Sequence, residues 1–424
     1  MDFERLSASR GALGPLCAFA GGALPATVLG ACAGTLLPLL STRDVLPLRA
    51  ACKEAAAAIA QHPWEDSVTV IKGSVGAWRA CFPRARAASV SQQHCPGKAS
   101  RRAPIGDADF VHLQGLRVLN MSSCKGVTNA AFAYLRGIHT LNMSGCNQAG
   151  ITDAAFAHLR GVHTLDMSSC SQEGITDAAF VHLRGIHKLI MRGCSQPGIT
   201  DAAFAHLLGI HTLKMGFCNQ AGITDAAFVH LRGIHTLDMS DCSQEGITDA
   251  AFAHLRGVHT LDMSHCYQGG ITDAAFAHLR GIHTLNMSWC FQDSISNAAF
   301  AHLRGIHTLD MSHCDQYDIT DAAFAHLRGI HTLSMRECEQ AGITDAAFAH
   351  LRGIHTLDMS YCNQRGITDA AFAHLRGIHR LDMVHCDQAG ITDAALDYLS
   401  GIRTLHACYE RFTDVDWRPS GILF

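Results

Sequence analysis

The sequence lacks a net charge large enough to single out a partner. Its 424 residues carry 33 Lys and Arg against 37 Asp and Glu, a net of −4. That balance gives no global field toward nucleic acid or an anionic membrane. Any Cys-x-x-Cys pair is also missing, so the 18 cysteines carry no zinc signature. Residues 11 to 42 hold no Asp, Glu, Lys or Arg, but Pro15, Pro25, Pro38 and the interspersed glycines break any single spanning helix. Asp2 and Glu4 spoil the basic start that a secretory leader needs. No nucleophile, base and oxyanion donor stand together in differing roles, so an enzyme is not expected.

What is present is repetition. "GITDAAFAHLRGIHTLDMSYC", residues 342 to 362, is one copy of a unit that recurs from residue 107 onward. Its leucine column runs from Leu119 to Leu405 in steps of 24 after a first step of 22, which makes thirteen turns of one solenoid. Twelve cysteines, Cys124 through Cys386, keep the same spacing. Such a column fits a small, reduced, buried hydrophobe at an equivalent core position, and hence a cytoplasmic or nuclear compartment. Thr356 to Ser360 alternates polar and apolar residues, the period of a strand with Leu357 and Met359 on the inner face. Ala346 to Gly353 reads as a short helix capped by Thr344 or Asp345, burying Phe348 and Leu351 and ended by Gly353. The expected fold is an α/β solenoid with one parallel strand and one short helix per turn. No turn buries its own core, so stacking and terminal caps are required.

The pattern L-x-M-x-x-C followed by Ile-Thr-Asp-Ala-Ala-x-x-x-Leu resembles the cysteine-containing class of leucine-rich repeat, which implies a horseshoe. Residues 23 to 65 resemble an F-box, on Leu24-Pro25, the leucines at 36, 37, 39 and 40, Asp44-Val45-Leu46, Leu48-Arg49, Cys52-Lys53 and His62-Pro63-Trp64. The two together resemble the F-box/leucine-rich-repeat family. That resemblance implies a substrate-recognition subunit of a cullin-type ubiquitin ligase, docked on the Skp adaptor and its cullin complex. Implied adaptor contacts are Leu24, Pro25, Leu36, Leu40, Asp44, Leu48, Cys52, Lys53 and Trp64. The organisation read from the chain is a tail (1–22), the F-box-like helical module (23–66), a degenerate cap turn and linker (67–106), the repeats (107–407) and a C-terminal cap or tail (408–424). The competing reading is a leucine-rich-repeat scaffold outside any ligase, whose N-terminal helices only cap the solenoid.

One position drifts where its neighbours hold. The residue before each repeat cysteine is expected at the outer end of the strand, facing solvent on the concave rim and free to vary. Drift alone explains poorly why Phe217, Tyr267, Trp289, Phe291 and Tyr361 gather in the middle turns, or why Lys188, Arg192, Lys214 and Asp241 break the polar columns beside them. Aromatics bordered by charge mark an interface. With His265, His313 and Glu337, these residues form the expected surface for a protein client. Two histidine columns, His139 to His379 and His158 to His374, have no partners that would tune a metal site. Neither a metal nor a cofactor is expected. Closely stacked imidazoles should, however, oppose one another's protonation.

Overall fold

A computed structural model of the chain describes residue 37 and residues 40–51, 53–92 and 104–407. It divides into two compact units, Met1–Asp166 and Met167–Phe424. The fold is a leucine-rich-repeat solenoid. In the first unit, helices Leu46–Ala51, Lys53–Gln61 and Val75–Cys81 precede strand β1 (Ala87–Ser89). Parallel pairing then continues in chain order through β2 (Val118–Asn120), β3 (Thr140–Asn142) and β4 (Thr164–Asp166). In the second unit ten strands run from β5 (Lys188–Ile190) to β14 (Thr404–His406). Each is paired in parallel to the next, leucine opposite leucine, as in Leu333↔Leu357 and Leu357↔Leu381. The tail assigned to 408–424 lies outside the described residues.

One turn shows why these residues fold this way. Ile343, Phe348, Leu351, Ile354, Leu357, Met359 and Cys362 are all buried to 2% exposure or less. Consecutive turns therefore share one apolar interior, which supplies the main drive for stacking. The three-residue strand ends at Asp358, whose side chain braces the bend that follows. Its Oδ1 accepts the Ser360 N–H at 3.0 Å and the Ser360 hydroxyl at 2.7 Å. The Cys362 thiol points inward and donates to the Met335 carbonyl of the preceding turn at 2.9 Å.

The helix is shorter than the sequence suggests. It covers Asp345–Phe348, after which His350 and Leu351 donate to Ala347 and Phe348, three residues back, in a tightening turn. Gly353, at φ +82°, closes it. Of the two candidate caps, Thr344 takes the role: its Oγ1 accepts from the Ala346 N–H at 3.3 Å. Asp345 instead joins turns, both carboxylate oxygens accepting from the Thr368 N–H and hydroxyl at 2.7 Å. A glutamine column also links turns, Gln268 Nε2–H donating to the Cys242 carbonyl at 2.7 Å and Gln220 to that of Cys194 at 2.6 Å.

In the first unit the N-terminal helices are tied to the first strand. Trp64 is 1% exposed, its indole N–H donates to the Ile59 carbonyl at 2.8 Å, and its ring meets Phe82 edge-on at 5.6 Å. The Trp64 carbonyl accepts the N–H groups of Arg86 and Ala87 at 2.7 and 3.0 Å.

Candidate protein-interaction surface

The residue before each repeat cysteine adopts a left-handed backbone, whether an Asp-Ser bend precedes it, as at Tyr361, or not, as at Phe217 and Glu337. Phe217, Asp241, His265, Trp289, His313, Glu337 and Tyr361 all have φ between 52° and 60°. Gly145 and Gly193 occupy the same place in their turns at φ +67° and +64°. This corrects the expectation of an unconstrained position. The side chain is free of the core, but the backbone favours glycine, and a bulky residue there costs about 1–2 kcal/mol.

In the second unit His265, Trp289, His313 and Glu337 meet one another across turns. His265 and Trp289 stack at 5.3 Å, and Trp289 and His313 at 3.8 Å. The His313 imidazole contacts the Glu337 carboxylate at 3.0 Å. Glu337 is also reached by Arg336 at 3.4 Å, and the Arg336 guanidinium lies 4.7 Å from the centre of the Tyr361 ring. Tyr361 in turn meets His385 at 4.6 Å. Beside this run lies a second, shorter one from the residues after the cysteines. Tyr267 and Phe291 stack at 5.9 Å, Phe291 stands edge-on to Trp289 at 6.0 Å, and the Tyr267 hydroxyl contacts His265 at 3.3 Å. Tyr267 and Phe291 stay 51% and 42% exposed. Burial, and after it the charge of Asp241, raises the Tyr267 phenol above its ordinary pKa.

A separate cluster forms around Arg192. It pairs with the buried Asp238 at 3.1 Å, reaches the Ser240 hydroxyl at 3.3 Å and lies 5.8 Å from the Phe217 ring centre. Lys188 and Lys214 are half-buried strand residues one turn apart, Ile190 lying opposite Lys214. Sequence reasoning missed Arg336 and His385. The signal for Arg336 was available, since it replaces the serine after the repeat methionine just as Arg192 does.

Among the residues expected to meet an adaptor, Leu24, Pro25, Leu36 and Cys52 lie outside the described residues. Leu40 and Leu48 are half-buried, Asp44 and Lys53 exposed, and Leu46 beside them is 49% exposed. Asp44 accepts from the Ser41 N–H and hydroxyl at 3.0 and 2.7 Å. Trp64 is instead a packing residue of the first unit. No group of side chains fit to hold a metal ion exists among the described residues, and no described helix is long and apolar enough to cross a membrane.

No protein-family profile and no curated protein matches the chain. Solved leucine-rich-repeat structures do. The Toll–Spatzle complex of Drosophila, in its glycosylated form, aligns over 72% of this chain and 46% of that one, at 15% identity and a TM-score of 0.55. The mouse RP105/MD-1 complex aligns over 76% and 55%, at 17% identity and a TM-score of 0.57. The chain thus spans about half the length of these solved chains, and the likeness establishes the fold.

Proposed function

We propose that the chain is a substrate-recognition subunit of a cullin-type ubiquitin ligase. In this reading the F-box-like module holds the Skp adaptor, and the strand-side surface of the second unit holds a protein client. The subunit positions its client and performs no chemistry itself; tethering raises the client's local concentration near a separately supplied enzyme. One observation carries the client surface: large aromatic and charged side chains occupy left-handed positions where glycine is cheaper, and those from His265 to Glu337 meet in one run. The adaptor contact is supported by the matching residues of the module and by the exposure of Asp44, Leu46 and Lys53.

A second reading, a leucine-rich scaffold whose N-terminal helices serve only as a cap, is favoured by the bonds from Trp64 to the start of the first strand. Purified Skp adaptor distinguishes the two. Retention by the full chain, with loss in Leu40→Glu, supports ligase work. No retention by the unaltered chain leaves the scaffold. Proximity labelling with the chain and with Trp289→Gly/Phe291→Ala then tests the client surface, whose assignment fails if the labelled set does not change.

A further inference from the structure

In seven consecutive turns of the second unit the helix-to-strand connection reads His-x-Arg-Gly-x-His, as in His350, Arg352, Gly353 and His355. Its arginine recurs without a break from Arg232 to Arg376, and all seven are exposed. The series stops on one side at Leu208, which stands in the same place two turns before Arg256. Each arginine leans along the row onto the next turn. Arg232 Nε–H donates to His254 Nδ1 at 3.3 Å, Arg256 to His278 at 3.4 Å and Arg304 to His326 at 3.3 Å. Among the described residues none of the seven has a carboxylate within ion-pair distance. The aspartates of the same turns start the helices and spend both oxygens on the next turn's threonine, as Asp345 does on Thr368. A nearly balanced composition therefore hides a line of cations without ion-pair partners among the described residues.

The pitch of that line is set by the fold. Histidine rings of the same connections, His235, His259 and His283, stack one turn apart at 4.5 Å. That is shorter than the screening length of about 8 Å at physiological salt, so neighbouring guanidinium fields add. We propose that this row docks an acidic α-helix of a partner protein, one that presents a carboxylate once per helical turn along a single face. Guanidinium forks match carboxylates in shape as well as charge. A helix repeats every ~5.4 Å, so along the six steps from Arg232 to Arg376 it drifts from the row by only about 5 Å, which the long arginine arms absorb. An extended strand repeats on one face every ~6.8 Å and drifts by about 14 Å. A single nucleic-acid strand needs free ring faces for its bases, whereas the imidazoles of this edge face one another. The row lies on the connections into the strands, outside the client surface proposed above, and its fate is independent of that reading.

The test titrates the full chain into a fluorescein-labelled helical peptide with glutamate at every third or fourth position on one face, read by anisotropy at 50 and 150 mM salt. Binding is expected to weaken at the higher salt and to fall about tenfold or more in R280E/R304E/R328E. It is expected to fall similarly when the same glutamates are dispersed around the helix. A thermal melt matching the parent's shows the variant folded, and R280Q/R304Q/R328Q, with charge removed but not reversed, should bind with intermediate strength. No binding by the parent, or undiminished binding by the charge-reversed variant, overturns the row as a site. Equal or tighter binding of the dispersed peptide, of a single-stranded oligonucleotide or of anionic vesicles overturns the acidic helix as its partner.

Discussion

At the scale of the residue, the left-handed position before each cysteine separates what folding asks from what a surface offers. Phe217 sits at φ 60° with little to hold it beyond a guanidinium 5.8 Å away. Phe217→Gly is expected to raise stability in urea unfolding by about 1 kcal/mol, from relief of left-handed strain. Trp289→Gly removes the same strain but also three ring contacts of roughly 0.5–1.5 kcal/mol each, so it should be net destabilising by about 1–2 kcal/mol. A loss above about 2 kcal/mol at both sites would make these side chains part of the packing and end their assignment to recognition. The cysteines obey the opposite logic. Burial pushes the thiols of Cys218, Cys290 and Cys386 up to about 12, and that of Cys146 to about 11, so the reactive thiolate is scarce. Alkylation of the folded chain at pH 8, mapped by mass spectrometry, should mark the partly exposed Cys81 and spare these four. Equal labelling of Cys290 and Cys81 would contradict a closed core.

At the scale of the element, turns are joined by bonds that periodicity does not announce. Gln268 is 3% exposed and its amide N–H is the side-chain donor to the Cys242 carbonyl. Gln268→Leu is expected to cost about 1–3 kcal/mol, the penalty for stranding a buried carbonyl, and a urea midpoint equal to the parent's would refute that. The histidine stack acts through pH. His211, His259 and His331 have lowered pKa values, first from desolvation and then from the neighbouring imidazoles. With folded values below the unfolded value of about 6.5, the unfolded chain binds more protons, so this contribution is complete above pH 6.5 and declines as pH falls through the folded values. The melting temperature should therefore be lower at pH 5.5 than at pH 7.5; an equal one excludes the effect. The strand, the core leucine and the inward cysteine were legible because alternation and spacing encode which way a side chain points. Helix length was not: Ala346 to Arg352 all suit a helix, and the turn is tightened after Phe348 by the need to bring Leu351 and Ile354 inward within one short repeat. The left-handed φ was hidden because Phe, Trp and Tyr are not residues that advertise it, and no local pair announces it: Lys214 and Gly216 stand before Phe217 where Asp358 and Ser360 stand before Tyr361, at nearly the same φ.

At the scale of the molecule, the resemblance of the repeats to leucine-rich repeats fixed the fold, while the surface needed coordinates. Stacking partners 24 residues apart can be counted, yet that Glu337 bridges His313 and Arg336 depends on side-chain direction. Within the second unit the strict period implies that turns are interchangeable for folding and not for recognition. Deleting residues 299–322 removes one whole period and joins Ala298 to Ala323, so the next strand still finds leucine opposite leucine and the core loses no register. Circular dichroism per residue should be unchanged and the melting temperature should shift by only a few degrees, on the order of a ~1 kcal/mol change. Deleting residues 299–310 instead takes the second half of a helix and the strand that follows it, which sets Met311 directly after Ala298 where the buried Ala299 and Phe300 should continue the helix; that chain should lose cooperative unfolding. The whole-period deletion also removes His313 and brings Glu337 next to Trp289, breaking the stack at its tightest contact of 3.8 Å. It should therefore fold and fail to hold the client, whereas folding with undiminished client capture would show that recognition does not reside in this run.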